Sequence, residues 1–138
     1  MNSFEIYIDG ASKGNPGHSG VGIVIYRDGA EIKTLSNYIG LATNNVAEYT
    51  ALIYALEEAL LLKAKNLRIN TDSQLLARQL NKVYKVKHAG IIGLYNRAVH
   101  LLTGFEKVLI NHIPREENSL ADKLATQAVE LFLRKSLI

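Results

Sequence analysis

The chain opens on a two-residue rhythm. Phe4, Ile6 and Ile8 alternate with Glu5, Tyr7 and Asp9, which predicts a strand with one buried face. Residues 10–20 carry four glycines and a proline and read as a turn. An apolar, β-branched run over 21–26 predicts a second strand. Asp28-Gly29 is a hairpin signal, so residues 31–39 read as a third strand, antiparallel to the second. The apolar spacing then lengthens to a helical period over 46–63. A short strand at 67–71, a short helix at 73–80 and a basic linker at 82–90 follow. A helix over 91–103, a strand over 105–112, a break at Pro114 and a helix over 119–135 complete the chain. A three-stranded meander followed by strand–helix units predicts an α/β fold, with helices packed on a mixed sheet. The 138 residues suit one domain, without repeats or low-complexity segments.

Composition narrows the classes. Apolar residues make up 48% of the chain and charged residues 21%, which favours a packed core over disorder. The absence of cysteine excludes disulfides, thiolate metal sites and a cysteine nucleophile, and fits a cytoplasmic protein. The first nine residues pattern as a strand, not a signal peptide, and no apolar run is long enough to span a membrane. A net charge of +3 is a mild pointer to a polyanionic partner; solubility explains it equally simply.

Four carboxylates fall at the ends of predicted elements, and each has a plain structural explanation. Asp9 precedes a glycine and could be a turn residue. Glu48 lies three residues after Asn45 and could close a capping box with it. On a helical wheel of about 100° per residue, however, Ala55 and Ala59 lie roughly 20° either side of Glu48, and Leu52 and Leu62 roughly 40° away. That places Glu48 at the head of the stripe that should face the sheet. Asp72 follows an apolar strand and could cap the next helix; it also sits where open α/β sheets bind ligands. Asp122, in the first turn of the last helix, could interact with the helix dipole, and it borders the stripe of Ala121, Ala125, Ala128 and Phe132. Gathered together, four acids could not all ionise without cations, and oxygen-only ligands suit Mg²⁺ or Mn²⁺.

The stretches around these acids are Tyr7-Ile-Asp-Gly-Ala-Ser-Lys-Gly-Asn-Pro-Gly17, Thr43-Asn-Asn-Val-Ala-Glu-Tyr-Thr-Ala-Leu52, Thr71-Asp-Ser-Gln74 and His112-Ile-Pro-Arg-Glu-Glu-Asn-Ser-Leu-Ala-Asp122. In this order they resemble type 1 ribonuclease H along almost the whole chain. The resemblance implies a five-stranded mixed sheet of order 3-2-1-4-5 and cleavage of the RNA strand of RNA/DNA hybrids, leaving 5′-phosphate and 3′-hydroxyl ends. It implies two Mg²⁺ ions, replaceable by Mn²⁺, on Asp9, Glu48, Asp72 and Asp122. His112 matches the family's mobile histidine, tied to product or metal release. Gly10, Ala11 and Ser12 match the backbone that reads 2′-hydroxyls. Asn15, Asn44, Asn45 and Gln74 match minor-groove contacts, and Thr43 a residue that binds a DNA phosphate.

The sequence departs from many relatives in one respect. Residues 82–90 are too few for the basic helical handle that grips the hybrid in those proteins, and they lack tryptophan. Lys82, Lys85, Lys87 and His88 supply charge there, with Lys85 and Lys87 the candidate substrate contacts, and Tyr84 or Tyr95 the candidate stacking groups. The protein is expected to act as a monomer away from membranes, with double-stranded RNA an open second substrate. The rival readings are a silent binding module for hybrids or double-stranded RNA, another nuclease of the same superfold, and a subunit of a larger enzyme.

Overall fold

The computed structural model describes residues 3–136. Its strands are β1 (Ser3–Gly14), β2 (Gly17–Arg27), β3 (Ala30–Ala42), β4 (Asn66–Thr71) and β5 (Lys107–His112). Its helices are α1 (Asn44–Leu61), α2 (Gln74–Leu80), α3 (Ala89–Leu102) and α4 (Ser119–Lys135), with a single 3₁₀ turn at Arg115–Glu117. The strands form one mixed sheet in the order β3-β2-β1-β4-β5. β1 and β2 pair antiparallel, as do β2 and β3, whereas β4 runs parallel to both β1 and β5. No helix among the described residues is long and apolar enough to cross a membrane.

The period-two and helical patterns place the core as the sequence predicts. Phe4, Ile6 and Ile8 of β1, Ile23 and Ile25 of β2, and Ile69 of β4 are buried against Leu52, Ala55, Leu56 and Ala59 of α1. At the β2–β3 hairpin, Asp28 and Gly29 both take positive φ, 49° and 87°, the geometry of a type I′ turn. α4 lies on the sheet across β2, touching β1 and β3.

The main correction concerns residues 10–20. They are not a glycine-rich turn. β1 runs on to Gly14 and β2 begins at Gly17, so only Asn15 and Pro16 turn the chain. Gly14, at φ 90°, serves that turn, whereas Gly10 and Gly20 serve close approach to helices. A Cβ on Gly10 would sit 2.3 Å from the carbonyl carbon of Ala47 in α1. A Cβ on Gly22, the cross-strand partner of Asp9, would sit 2.0 Å from the Ala121 oxygen in α4. Two helices rest directly on bare backbone, one on each face of the sheet. Smaller shifts follow the same logic of local chemistry. α1 starts at Asn44, two residues early, because Thr43 caps it. α3 starts at Ala89 rather than residue 91, with His88 as its cap, which shortens the linker to residues 81–88. β5 starts at Lys107 rather than residue 105.

Candidate active site

β1 sets Asp9 at the middle of the sheet, one residue past the last β1–β4 pair, Ile8 with Thr71. Strand alternation puts Asp9 and Gly22 on the face covered by α4. The seating of α4 on Gly22 then brings its first turn, with Asp122, beside Asp9. On the other face, the bare Gly10 backbone lets the start of α1 close on β1, and the Gly10 N–H donates to the Glu48 carboxylate. Glu48 is therefore not part of a capping box. Thr43, not Asn45, is the N-cap, and its hydroxyl accepts from Val46 N at 3.2 Å. The same kind of correction applies one strand further on. Ser73, not Asp72, caps α2, accepting from Leu76 N at 3.1 Å. That leaves the Asp72 carboxylate unengaged by the cap, just past the carboxyl end of β4.

The three acids converge. Asp9, Glu48 and Asp72 each offer a carboxylate oxygen, and these oxygens lie within 4.8 Å of one another. Asp9 is 6% exposed and Glu48 4%. Asp122 stands just outside this trio, but it lines the same cleft and its charge acts on Asp9. Burial pushes the Asp9 carboxyl well up from its ordinary value, and the charges of Glu48, Asp72 and Asp122 push it further. Burial also raises Glu48, against the Gly10 N–H bond, which favours its ionised form. Without a counter-charge, Asp9 and Glu48 are held toward their protonated forms. Buried carboxylates that share a site need protons, partners or a metal. A hard divalent cation fits this donor set, because every ligand is a carboxylate oxygen and Glu48 is already oriented by the Gly10 N–H.

The wall of the cleft adds Gly10, Ala11, Ser12, Asn44, Ser73, Arg115 and Thr126. Ser12 bonds the Ala42 carbonyl at 2.9 Å, fixing the end of β3 against β1. A second depression gathers Asn15, Thr43 and Asn45 with His88 and Ile91 of the α3 start. There the Asn15 Oδ1 accepts from Asn44 N at 3.0 Å, leaving its amide hydrogens available. Lys85 lines a third groove with Lys82, Tyr84, Tyr95 and Asn96. Arg78 braces Tyr84, with a 2.8 Å bond to its hydroxyl and the guanidinium over the ring.

Not every predicted site residue joins these walls. Gln74 is exposed at the start of α2, and Lys87 is exposed in the 81–88 segment. His112 is exposed at the end of β5, opposite Thr71, and does not line the acid cleft. Sequence reasoning missed Arg115, Thr126 and Ser73 in the cleft, and read His88 only as linker charge, without placing it beside Thr43. For Ser73 and His88 a signal existed, since both immediately precede helices they cap. Arg115 and Thr126 carried none.

Comparison with known proteins places this site in a family. The reverse transcriptase-like family matches residues 7–128. Ribonuclease HI of Halobacterium salinarum is 42% identical over 90% of the chain, which spans 63% of that protein. The crystal structure of RNase H1 from the same archaeon superposes with a TM-score of 0.90 at 41% identity, over 93% of this chain and 98% of that one. Bifunctional protein Rv2228c of Mycobacterium tuberculosis is 39% identical over 91% of the chain, which spans 35% of it. LC11-RNase H1, solved in complex with an RNA/DNA hybrid, matches with a TM-score of 0.90 at 38% identity, over 94% of this chain and 99% of that one. The chain thus covers less than two thirds of these two curated relatives. It belongs to the type 1 ribonuclease H family.

Proposed function

We propose that this protein is an endoribonuclease that hydrolyses the RNA strand of RNA/DNA hybrids and leaves 5′-phosphate and 3′-hydroxyl ends. The observation that carries the reading is the convergence of Asp9, Glu48 and Asp72, with Asp122 beside them, in a cleft floored by the Gly10–Ser12 backbone. The hybrid bound by LC11-RNase H1 supports the choice of substrate. Asp9, Glu48, Asp72 and Asp122 would hold two Mg²⁺ ions, with Mn²⁺ as a substitute. Bound there, the ions supply an activated water and stabilise charge on the leaving 3′-oxygen.

The protein's own groups do the rest. Backbone at Gly10, Ala11 and Ser12 would meet the 2′-hydroxyls that distinguish RNA from DNA. Asn15, Asn44, Asn45 and Gln74 would reach the minor groove. Thr43, with His88 beside it, would hold a phosphate of the DNA strand. Lys85 and Lys87 would neutralise phosphates further along the duplex. His112, near the rim at the end of β5, would assist release of product or metal.

One assay tests this reading. The protein is incubated with Mg²⁺ and labelled hybrid, double-stranded RNA or double-stranded DNA. Cleavage confined to the RNA strand of the hybrid is the expected result. Binding without cleavage would overturn it in favour of a silent binding module. Cleavage of double-stranded DNA would overturn it in favour of another nuclease of this fold.

A further inference from the structure

Asn118 holds an unusual position. It is the N-cap residue of α4 and is 1% exposed, yet its side chain makes no capping bond. Asparagine is among the preferred caps, because its side-chain oxygen can accept from the free N–H groups of the first turn. Here that oxygen, Oδ1, is buried without a hydrogen-bond partner. The amide Nδ2 instead donates to the Ile8 carbonyl at 2.8 Å. An orphaned buried acceptor is destabilising, so stability alone does not account for this arrangement.

The geometry accounts for it differently. The Ile8 carbonyl belongs to the peptide unit whose nitrogen is that of Asp9. The carbonyl of Asn118 itself accepts from Asp122 N at 3.1 Å. A single residue therefore joins the peptide of one acid to the backbone nitrogen of another, across 113 positions of sequence. Gly22 sets how deeply α4 seats on the sheet, through its contact with the Ala121 oxygen. Further along, Ser36 Oγ donates to the Leu124 carbonyl at 2.6 Å and Phe132 stacks on Tyr38. The Asn118 bond adds a direct link to β1 at the end of α4 where Asp122 sits.

We propose that Asn118 is a positioning residue for the acid cluster, holding Asp122 in register with Asp9 so that the two carboxylates can share a divalent cation. The proposal rests on the nuclease reading above, but its metal-binding consequence can be measured without any nucleic acid.

The test compares the native protein with Asn118→Ala and with Val129→Ala. Val129 is buried on α4, two turns beyond Asp122, so its truncation loosens the helix without touching the tether. Mg²⁺ affinity is measured by calorimetry on the free protein. Turnover and KM on a hybrid are measured at saturating Mg²⁺. For Asn118→Ala, Mg²⁺ affinity should fall at least fivefold and kcat at least tenfold, with KM within twofold of native. Val129→Ala should melt lower while keeping native Mg²⁺ affinity and kcat. Should Asn118→Ala fail to fold, Asn118→Leu, which keeps the branched shape without the amide, is measured the same way with the same expectation. Native Mg²⁺ affinity in a folded Asn118 variant would overturn the proposal. So would equal losses in the Val129 control. If the native protein binds Mg²⁺ but cleaves no hybrid, the nuclease reading fails, and the affinity comparison still decides the role of Asn118.

Discussion

The acid cleft and the basic segment that follows it differ in charge, burial and support. All thirteen Asp and Glu residues lie outside positions 73–105, a stretch that holds five of the sixteen Lys and Arg. The acids sit on β1, α1, the end of β4 and α4, four elements that meet at buried backbone. The lysines sit mostly on an exposed segment between α2 and α3, supported by the Arg78–Tyr84 pair. The contrast fits the task proposed for each. Carboxylates that share a cation need fixed separations of a few ångströms, which constrained seams supply. Phosphate contacts act through counterion release and tolerate looser geometry, which a solvated loop can offer.

Substitutions that break the acid side should have the largest effects. Asp72→Asn, and likewise Asp9→Asn, should lower kcat by at least about 10²–10³-fold, while hybrid binding measured by anisotropy stays near native. Near-native turnover in either variant would remove these residues from the metal site. Next in size is the seam beneath α4. Gly22→Ala places a methyl against the Ala121 oxygen and should destabilise the protein by about 1–3 kcal/mol, read by urea unfolding. In the molecules that remain folded, turnover should fall with KM unchanged. A neutral Gly22→Ala would mean that α4 can ride higher without disturbing Asp122.

The basic side should respond more gently. Replacing both Lys85 and Lys87 with Ala should flatten the salt dependence of hybrid binding by about 0.9 per lost phosphate contact. Saturated turnover should hold. An unchanged slope would show that these lysines never meet phosphate.

The smallest effect is a pH dependence of stability in EDTA. Burial, and after it the charges of Glu48, Asp72 and Asp122, raise the Asp9 carboxyl in the folded protein above its unfolded value of roughly 3.9. A raised carboxyl keeps its proton preferentially in the folded state. Its contribution to stability is therefore present at acid pH and is lost as pH rises through the window between the unfolded and the folded value. Asp9→Asn removes that loss. Relative to native, the variant should gain on the order of 1 kcal/mol between pH 5 and 8 without metal, and Mg²⁺ should reverse the order. Differential scanning across pH checks this, and a variant that melts lower than native at every pH in EDTA would make Asp9 a structural residue.

Much of this arrangement was legible in the chain. Glu48 could be placed on the sheet-facing stripe of α1 from the wheel alone, because a helix fixes angular position by residue number. The strand order, and with it the meeting of Asp9 with Asp72, came from the resemblance, since periodicity shows which face is buried but not which strands are neighbours. Glycines 10 and 20 misled in a physical way. Local sequence marks glycine as a breaker, yet here Gly10 sits in a strand because a helix from far along the chain needs its missing side chain. Asn118 was invisible for the same reason. Its meaning lies in a bond to Ile8, and nothing near residue 118 announces that partner. Ser73 and Thr43 show the limit at finer scale. Each displaced its neighbour as the helix cap by one or two positions, and that shift decided whether Asp72 was occupied or available.

The bond from Asn15 to Asn44 N has a consequence for motion. Asn15 lies at the tip of the β1–β2 hairpin, the kind of protruding ribbon that ordinarily frays first. Its side chain closes over an amide at the start of α1, which is otherwise open to solvent exchange. The hairpin tip and the helix start are therefore coupled, so that opening either one breaks this bond. On the proposed reading, a duplex that approaches the cleft would meet the Asn15 side chain and the start of α1 already joined.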